Sequence, residues 1–97
     1  MSDEAFQQQK HLVVEGSVQG VGYRWFVRER SRRAGLSGWV QNRNDGSVEI
    51  RVSGHESGIE RLLSELFVGP KGAAVTAVRH LDDECSEPLP FPFHIHR

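Results

Sequence analysis

The chain has a single cysteine in 97 residues, Cys85. One thiol cannot close an intrachain disulfide or build a cysteine zinc site, and it favours a reducing compartment. No apolar run approaches the roughly 20 residues that a membrane-spanning helix requires. The opening MSDEAFQQQK lacks both the basic start and the apolar centre of a secretory signal. An excess of one charge is also missing: 12 Lys and Arg stand against 13 Asp and Glu, for a net charge of -1. Binding to nucleic acid or to a membrane surface therefore cannot rest on overall charge. These absences lead us to expect a cytoplasmic protein with no nucleic-acid or membrane partner; separately, we expect a monomer. A chain of this length can bury roughly 65% of its unfolded surface, so a single core is expected to form without metal or disulfide. Residues 1–10 are expected to be disordered and residues 11–97 to form one domain.

The charge that is present is unevenly placed. Residues 23–33 hold Arg24, Arg28, Arg30, Arg32 and Arg33 against Glu29 alone. Such a local positive field suits a small anion, while a solvated helix face is the plainer explanation for most of these arginines.

Residues 11–15 (HLVVE) form a short apolar run that predicts a strand. Residues 16–22 (GSVQGVG) contain three glycines in seven positions and predict a loop. From Tyr23 the spacing becomes helical, with Tyr23, Phe26, Val27 and Ala34 on one stripe and Gly35 as the stop. Residues 36–42 and 47–53 read as two strands joined through Arg43-Asn44-Asp45-Gly46, because Asp-Gly suits the positive φ of a tight hairpin turn. In the second of these strands Val48, Ile50 and Val52 alternate with Glu49 and Arg51, as in a half-buried strand. Ser57 and Glu60 predict a capping box ahead of a helix whose apolar face is Ile59, Leu62, Leu63, Leu66 and Phe67, ended by Gly69-Pro70. Residues 74–81 predict a strand, residues 84–92 a proline-bearing connection and residues 93–96 a short extra strand. The order βαββαβ predicts an α+β, ferredoxin-like fold, an antiparallel sheet with two helices on one face. That order alone selects no function.

A glycine-rich turn between a strand and a helix start aims backbone N–H groups at one point, where the helix dipole favours an anion. Arg24, in the first helical turn, can add a planar fork for two oxygens of that anion. The established phosphate fingerprints do not match. A Walker loop needs Gly-Lys-Ser/Thr, and the dinucleotide motif needs glycine where Trp25 stands. On loop chemistry alone, an anion site and a structural turn remain open.

Gly16 to Arg24 (GSVQGVGYR), with GWVQN at 38–42 and DGSVE at 45–49, resembles the acylphosphatase family, and the similarity continues through Gly69-Pro70. The resemblance implies a small metal-free enzyme without cofactor that hydrolyses the carboxyl-phosphate bond of acyl phosphates. It places the phosphate-binding arginine at Arg24 and the water-orienting asparagine at Asn42. The phosphate cradle falls on the backbone of Ser17, Val18, Gln19, Gly20 and Val21. The family often has arginine where Ser17 stands, a side chain that a backbone cradle does not need. The competing use of Asn42 is to open the hairpin turn.

Other sites fit less well. Cys85 as a phosphatase nucleophile lacks an arginine-bearing loop after it, and its acidic neighbours would depress its thiolate fraction. Asp82 and Asp83 have no phosphoaspartate motif, and as neighbours they point to opposite faces of a strand. His94 and His96 supply only two ligands, too few for catalytic zinc. Trp25, Phe26 and Trp39 are expected to support the core or the loop. The RNA-recognition motif shares the element order, but the strand at 47–53 has no aromatic to stack a base. A non-catalytic phosphate-binding module is the remaining alternative.

Overall fold

Alternation of branched apolar residues with polar ones builds a sheet that is apolar on one face, and the two amphipathic helices cover that face. The computed structural model describes residues 7–83 and 87–96. The elements are β1 (Gln7–Ser17), α1 (Tyr23–Arg33), β2 (Ser37–Asn42), β3 (Val48–His55), α2 (Glu56–Val68), β4 (Ala74–Leu81) and β5 (His94–Ile95). The sheet order is β4-β1-β3-β2-β5. Ladders β1–β3, β1–β4 and β2–β3 are antiparallel, and β5 adds to β2 in parallel. The sheet is therefore mixed, because the proline-bearing connection carries the chain across to the outer edge of β2.

Leu12 and Val14 of β1, Val40 of β2 and Val48, Ile50 and Val52 of β3 form one buried cluster with Phe26 and Val27 of α1 and Ile59, Leu62 and Leu66 of α2. Tyr23 locks the two helices together: its hydroxyl donates to the Leu66 carbonyl at 2.8 Å. Burial pushes the phenol well above its ordinary pKa.

Three local expectations need correction. Strand β1 begins at Gln7, and Gln7 to Gln9 pair with His55, Gly54 and Ser53. Polar residues join this strand because β3 offers a ladder of backbone groups, something no local pattern reports. Residues 1–6 lie outside the described residues. Helix α2 is capped two residues earlier than expected, straight out of β3: the His55 imidazole accepts from the Ser57 N–H in place of a Ser57 cap. Phe67, expected on the inner face of α2, is exposed.

The other face of the sheet carries a polar network. By the two-residue period of strands, His11, Glu49, Arg51 and Gln41 point away from the helices. Buried His11 holds Glu49 through Nε2 and Asp83 through Nδ1, each at 2.6 Å. Arg51 donates to Asp83 at 2.8 Å and Gln41 to Glu49 at 3.0 Å. The His11 hydrogen bond, opposed by burial and aided by Arg51, holds the Asp83 carboxyl below its ordinary pKa. At Glu49 burial acts upward, but His11 and Gln41 outweigh it and the net shift is downward. Asp83 thus ties the end of β4 to the sheet.

Candidate active site

The site grows out of the end of β1. After Ser17 the chain turns through Val18 to Gly22 and enters α1 at Tyr23. Gly22 is the helix cap in the left-handed conformation, φ 78° and ψ 19°, which glycine adopts without strain. It has no side chain with which to cap, and none of the first-turn residues is acidic. The first helical hydrogen bond runs from Phe26 N–H to the Gly22 carbonyl at 3.0 Å. The N–H groups of Tyr23, Arg24 and Trp25 are left without intrahelical partners, as at any helix start. Helix starts ordinarily carry a capping side chain or an acid to answer the positive end of the dipole. This one carries Arg24 instead, an arrangement that an incoming anion would relieve.

The arginines of α1 divide sharply. Arg28 pairs with Glu29 at 3.2 Å, and Arg30 pairs with Glu65 at 3.0 Å while lying over the Phe26 ring. Arg32 donates to the Phe93 carbonyl at 2.7 Å. Arg33 sits in the last turn, where a cation suits the dipole. Half-buried Arg24 has no hydrogen-bond or ion-pair partner among the described residues. The solvated-face explanation therefore covers its neighbours and leaves Arg24 over.

Asn42 is the last residue of β2 and pairs with Val48. The turn that follows closes without its side chain: Arg43 N–H reaches the Ser47 carbonyl at 2.9 Å, Gly46 N–H reaches the Arg43 carbonyl at 3.2 Å, and Asp45 accepts from Ser47 N–H at 2.9 Å. Its amide has no partner among the described residues, so the turn does not account for it.

Arg24 and Asn42 line one cavity of about 160 Å³ together with Val18 and Gly20. Gly22, Tyr23, Trp25 and Ile95 complete its wall, and none of these four belonged to the expected set. Ser17, Gln19 and Val21, expected as cradle backbone, are not part of the wall. Ser17 instead pairs with Ala74 as the end of β1. Gln19 turns its side chain the other way: Nε2 donates to the carbonyls of Arg43 and Ser47, each at 2.8 Å. One amide therefore fixes the glycine loop against the hairpin that carries Asn42. Nothing in the local sequence signals this, because both partners lie on another element. Gln19→Ala is expected to lower kcat about tenfold through misplacement of the two halves of the site. Its inhibition constant for inorganic phosphate should move less than threefold, and steady-state kinetics with phosphate inhibition separates the two effects.

The competing residues resolve differently. Cys85 lies outside the described residues. Asp83 is engaged by His11 and Arg51 on the far face of the sheet. His96 stacks on Trp39, with ring centroids 5.0 Å apart, and His94 tilts against it at 4.9 Å. Burial, with the nearby His94 charge, depresses the His96 pKa. Among the described residues no group of three or more His, Cys, Asp or Glu could hold a metal ion. Phe26 is core, but Trp25, expected to support the core or the loop, is exposed at the cavity.

The family model described as Acylphosphatase matches residues 10–95. The acylphosphatase of Geobacillus thermodenitrificans is 39% identical over 85 residues, covering 88% of this chain and 89% of its own. Among solved structures, the acylphosphatase of Bacillus subtilis superposes with a TM-score of 0.84 at 34% identity, covering 92% of this chain and 98% of its own. An acylphosphatase from Coxiella burnetii gives a TM-score of 0.81 at 31% identity over 99% of each chain. With motif, architecture and near-complete sequence coverage in agreement, the chain belongs to the acylphosphatase family.

Proposed function

We propose that this enzyme hydrolyses acyl phosphates without a metal, with Arg24 and the loop and helix-start amides holding the phosphoryl group and Asn42 placing the attacking water. The observation that carries this reading is the meeting, in one cavity, of an unpartnered arginine, an uncapped helix start and an unpartnered asparagine. Phosphoryl transfer runs through a loose transition state whose charge lies on the equatorial oxygens, so catalysis needs positioned donors more than covalent chemistry. The guanidinium fork and the backbone N–H groups are such donors. The Asn42 carbonyl oxygen accepts from the water while its NH₂ donates to a phosphoryl oxygen. As the water oxygen bonds to phosphorus, the bond from phosphorus to the acyl oxygen breaks and the carboxylate leaves with the electron pair. An amide is too weak a base to take the water proton, which passes to a phosphoryl oxygen or to solvent.

Wild-type enzyme should release phosphate from an aromatic acyl phosphate with chelator present and leave a phosphomonoester intact. Release abolished by chelator would sink the metal-free mechanism. Asn42→Ala should lower kcat by roughly 10²-10³ while the inhibition constant for phosphate stays unchanged; retained turnover would remove Asn42 from the reaction. We also place the enzyme in the cytoplasm as a monomer acting on a small substrate. The single cysteine supports that location, and no helix among the described residues is long and apolar enough to cross a membrane.

A further inference from the structure

We propose that Gln41 and Glu49 are positioning residues for the reaction, their cross-strand clasp holding Asn42 in place. This role deepens the hydrolase reading above, since it rests on Asn42 placing the attacking water. In an antiparallel ladder, hydrogen-bonded rungs alternate with unbonded ones. The rung of Arg43 and Ser47 is bonded, from Arg43 N–H to the Ser47 carbonyl at 2.9 Å. The rung before it, Asn42 opposite Val48, is therefore unbonded, and the Asn42 backbone N–H and C=O point to the other edge of β2. On that edge β5 pairs only with Trp39 and Val40, so Asn42 lies past the end of the pairing. Its place depends on the two rungs that flank it.

Each flanking rung carries a side-chain brace. On the loop side, Gln19 donates to the carbonyls of Arg43 and Ser47. On the sheet side, Gln41 stands opposite Glu49, and its Nε2 donates to Glu49 Oε1 at 3.0 Å. The carboxylate is not free to swing away, because its other oxygen, Oε2, lies 2.6 Å from His11 Nε2 on β1. His11 is buried and is fixed in turn through Nδ1 by Asp83 at 2.6 Å. Neither Gln41 nor Glu49 lines the cavity shared by Arg24 and Asn42. They act on the reaction through the backbone of β2, one residue before Asn42.

The test measures kcat and the inhibition constant for inorganic phosphate in Gln41→Ala, Glu49→Ala, the double variant and Glu49→Gln, with Asn42→Ala for reference and a thermal melt of each. Gln41→Ala and Glu49→Ala should each lower kcat about tenfold, as expected when a catalytic group is misplaced. Phosphate inhibition should stay within about twofold, since Arg24 and the glycine loop are untouched. The double variant should be no slower than Glu49→Ala, because both single variants break the same contact. Glu49→Gln keeps an oxygen for the Gln41 amide and should recover most of the rate. Single variants within about twofold of wild-type kcat overturn the proposal and leave the hydrolase reading standing. Losses that multiply in the double variant also overturn it, as does phosphate inhibition that weakens in step with kcat, the mark of a scaffold defect. Should Glu49→Ala fail to fold, Gln41→Ala, which leaves the His11–Glu49 contact intact, decides alone. Full turnover in Asn42→Ala overturns the placement of the water, and this proposal with it.

Discussion

Arg24→Ala is expected to lower kcat/KM by about 10³ or more and to abolish competitive inhibition by inorganic phosphate. A single oxyanion-type donor is worth roughly 10²-10³ in rate, and the guanidinium fork supplies two at once. Arg24→Lys should recover only part of the loss, since an ammonium keeps the charge but not the planar pair of donors. Folding should be untouched, because Arg24 has no partner among the described residues to lose. The thermal midpoint should even rise slightly, with a cation removed from the positive end of α1. Kinetics with phosphate inhibition, together with a thermal melt, checks each part. Unchanged phosphate affinity in the alanine variant would discard the cradle, whatever happened to turnover.

The largest stability effect is expected at Gly38. It lies in β2 opposite Val52 of β3 with φ 139°, and a Cβ there would stand 2.0 Å from the Arg51 carbonyl oxygen and 2.9 Å from the Val52 Cα. Both obstacles are backbone in the middle of the sheet and cannot swing aside as a flexible side chain would. The other side of Gly38 is also occupied, since its N–H donates to the Pro90 carbonyl at 2.8 Å. Gly38→Ala must therefore part β2 from β3 or pull away the segment leading into β5. We expect a loss of about 3–5 kcal/mol. For a domain of this size that corresponds to a fall in melting temperature on the order of 15 °C or more. Urea unfolding measures it directly, and a loss under about 1 kcal/mol would mean that the β2–β3 register differs from the one described.

What could be read from the sequence was what neighbouring residues decide together. The Asp45-Gly46 turn and the alternation of Val48, Ile50 and Val52 specify the hairpin within a dozen positions. The glycine loop entering a helix with Arg24 in its first turn is equally local. The strand at Gln7 to Gln9 was not legible, because its cause is the exposed ladder of β3 rather than any preference of glutamine. The same holds for His55 as a cap, for the parallel docking of β5 and for Asp83, which sequence dismisses as one of two adjacent acids and which His11 and Arg51 hold in place. Of the cavity lining, Arg24 and Asn42 were singled out through their motifs. Ile95 as cavity wall and the side chain of Gln19 as the brace were not, since each acts on a distant segment.

Ile95 gives the site a place in time as well as in space. A ribosome adds the cradle and Arg24 early and Asn42 soon after, but the strand that brings Ile95 to the cavity is the last of the elements to emerge. Strand β1, which leads into the cradle, sits between β3 and β4, so one of its edges stays bare until β4 has been made. Non-local pairing of this kind is slow and leaves sticky edges open while it waits. The nascent chain therefore carries the phosphate-holding parts for most of its synthesis without a finished pocket.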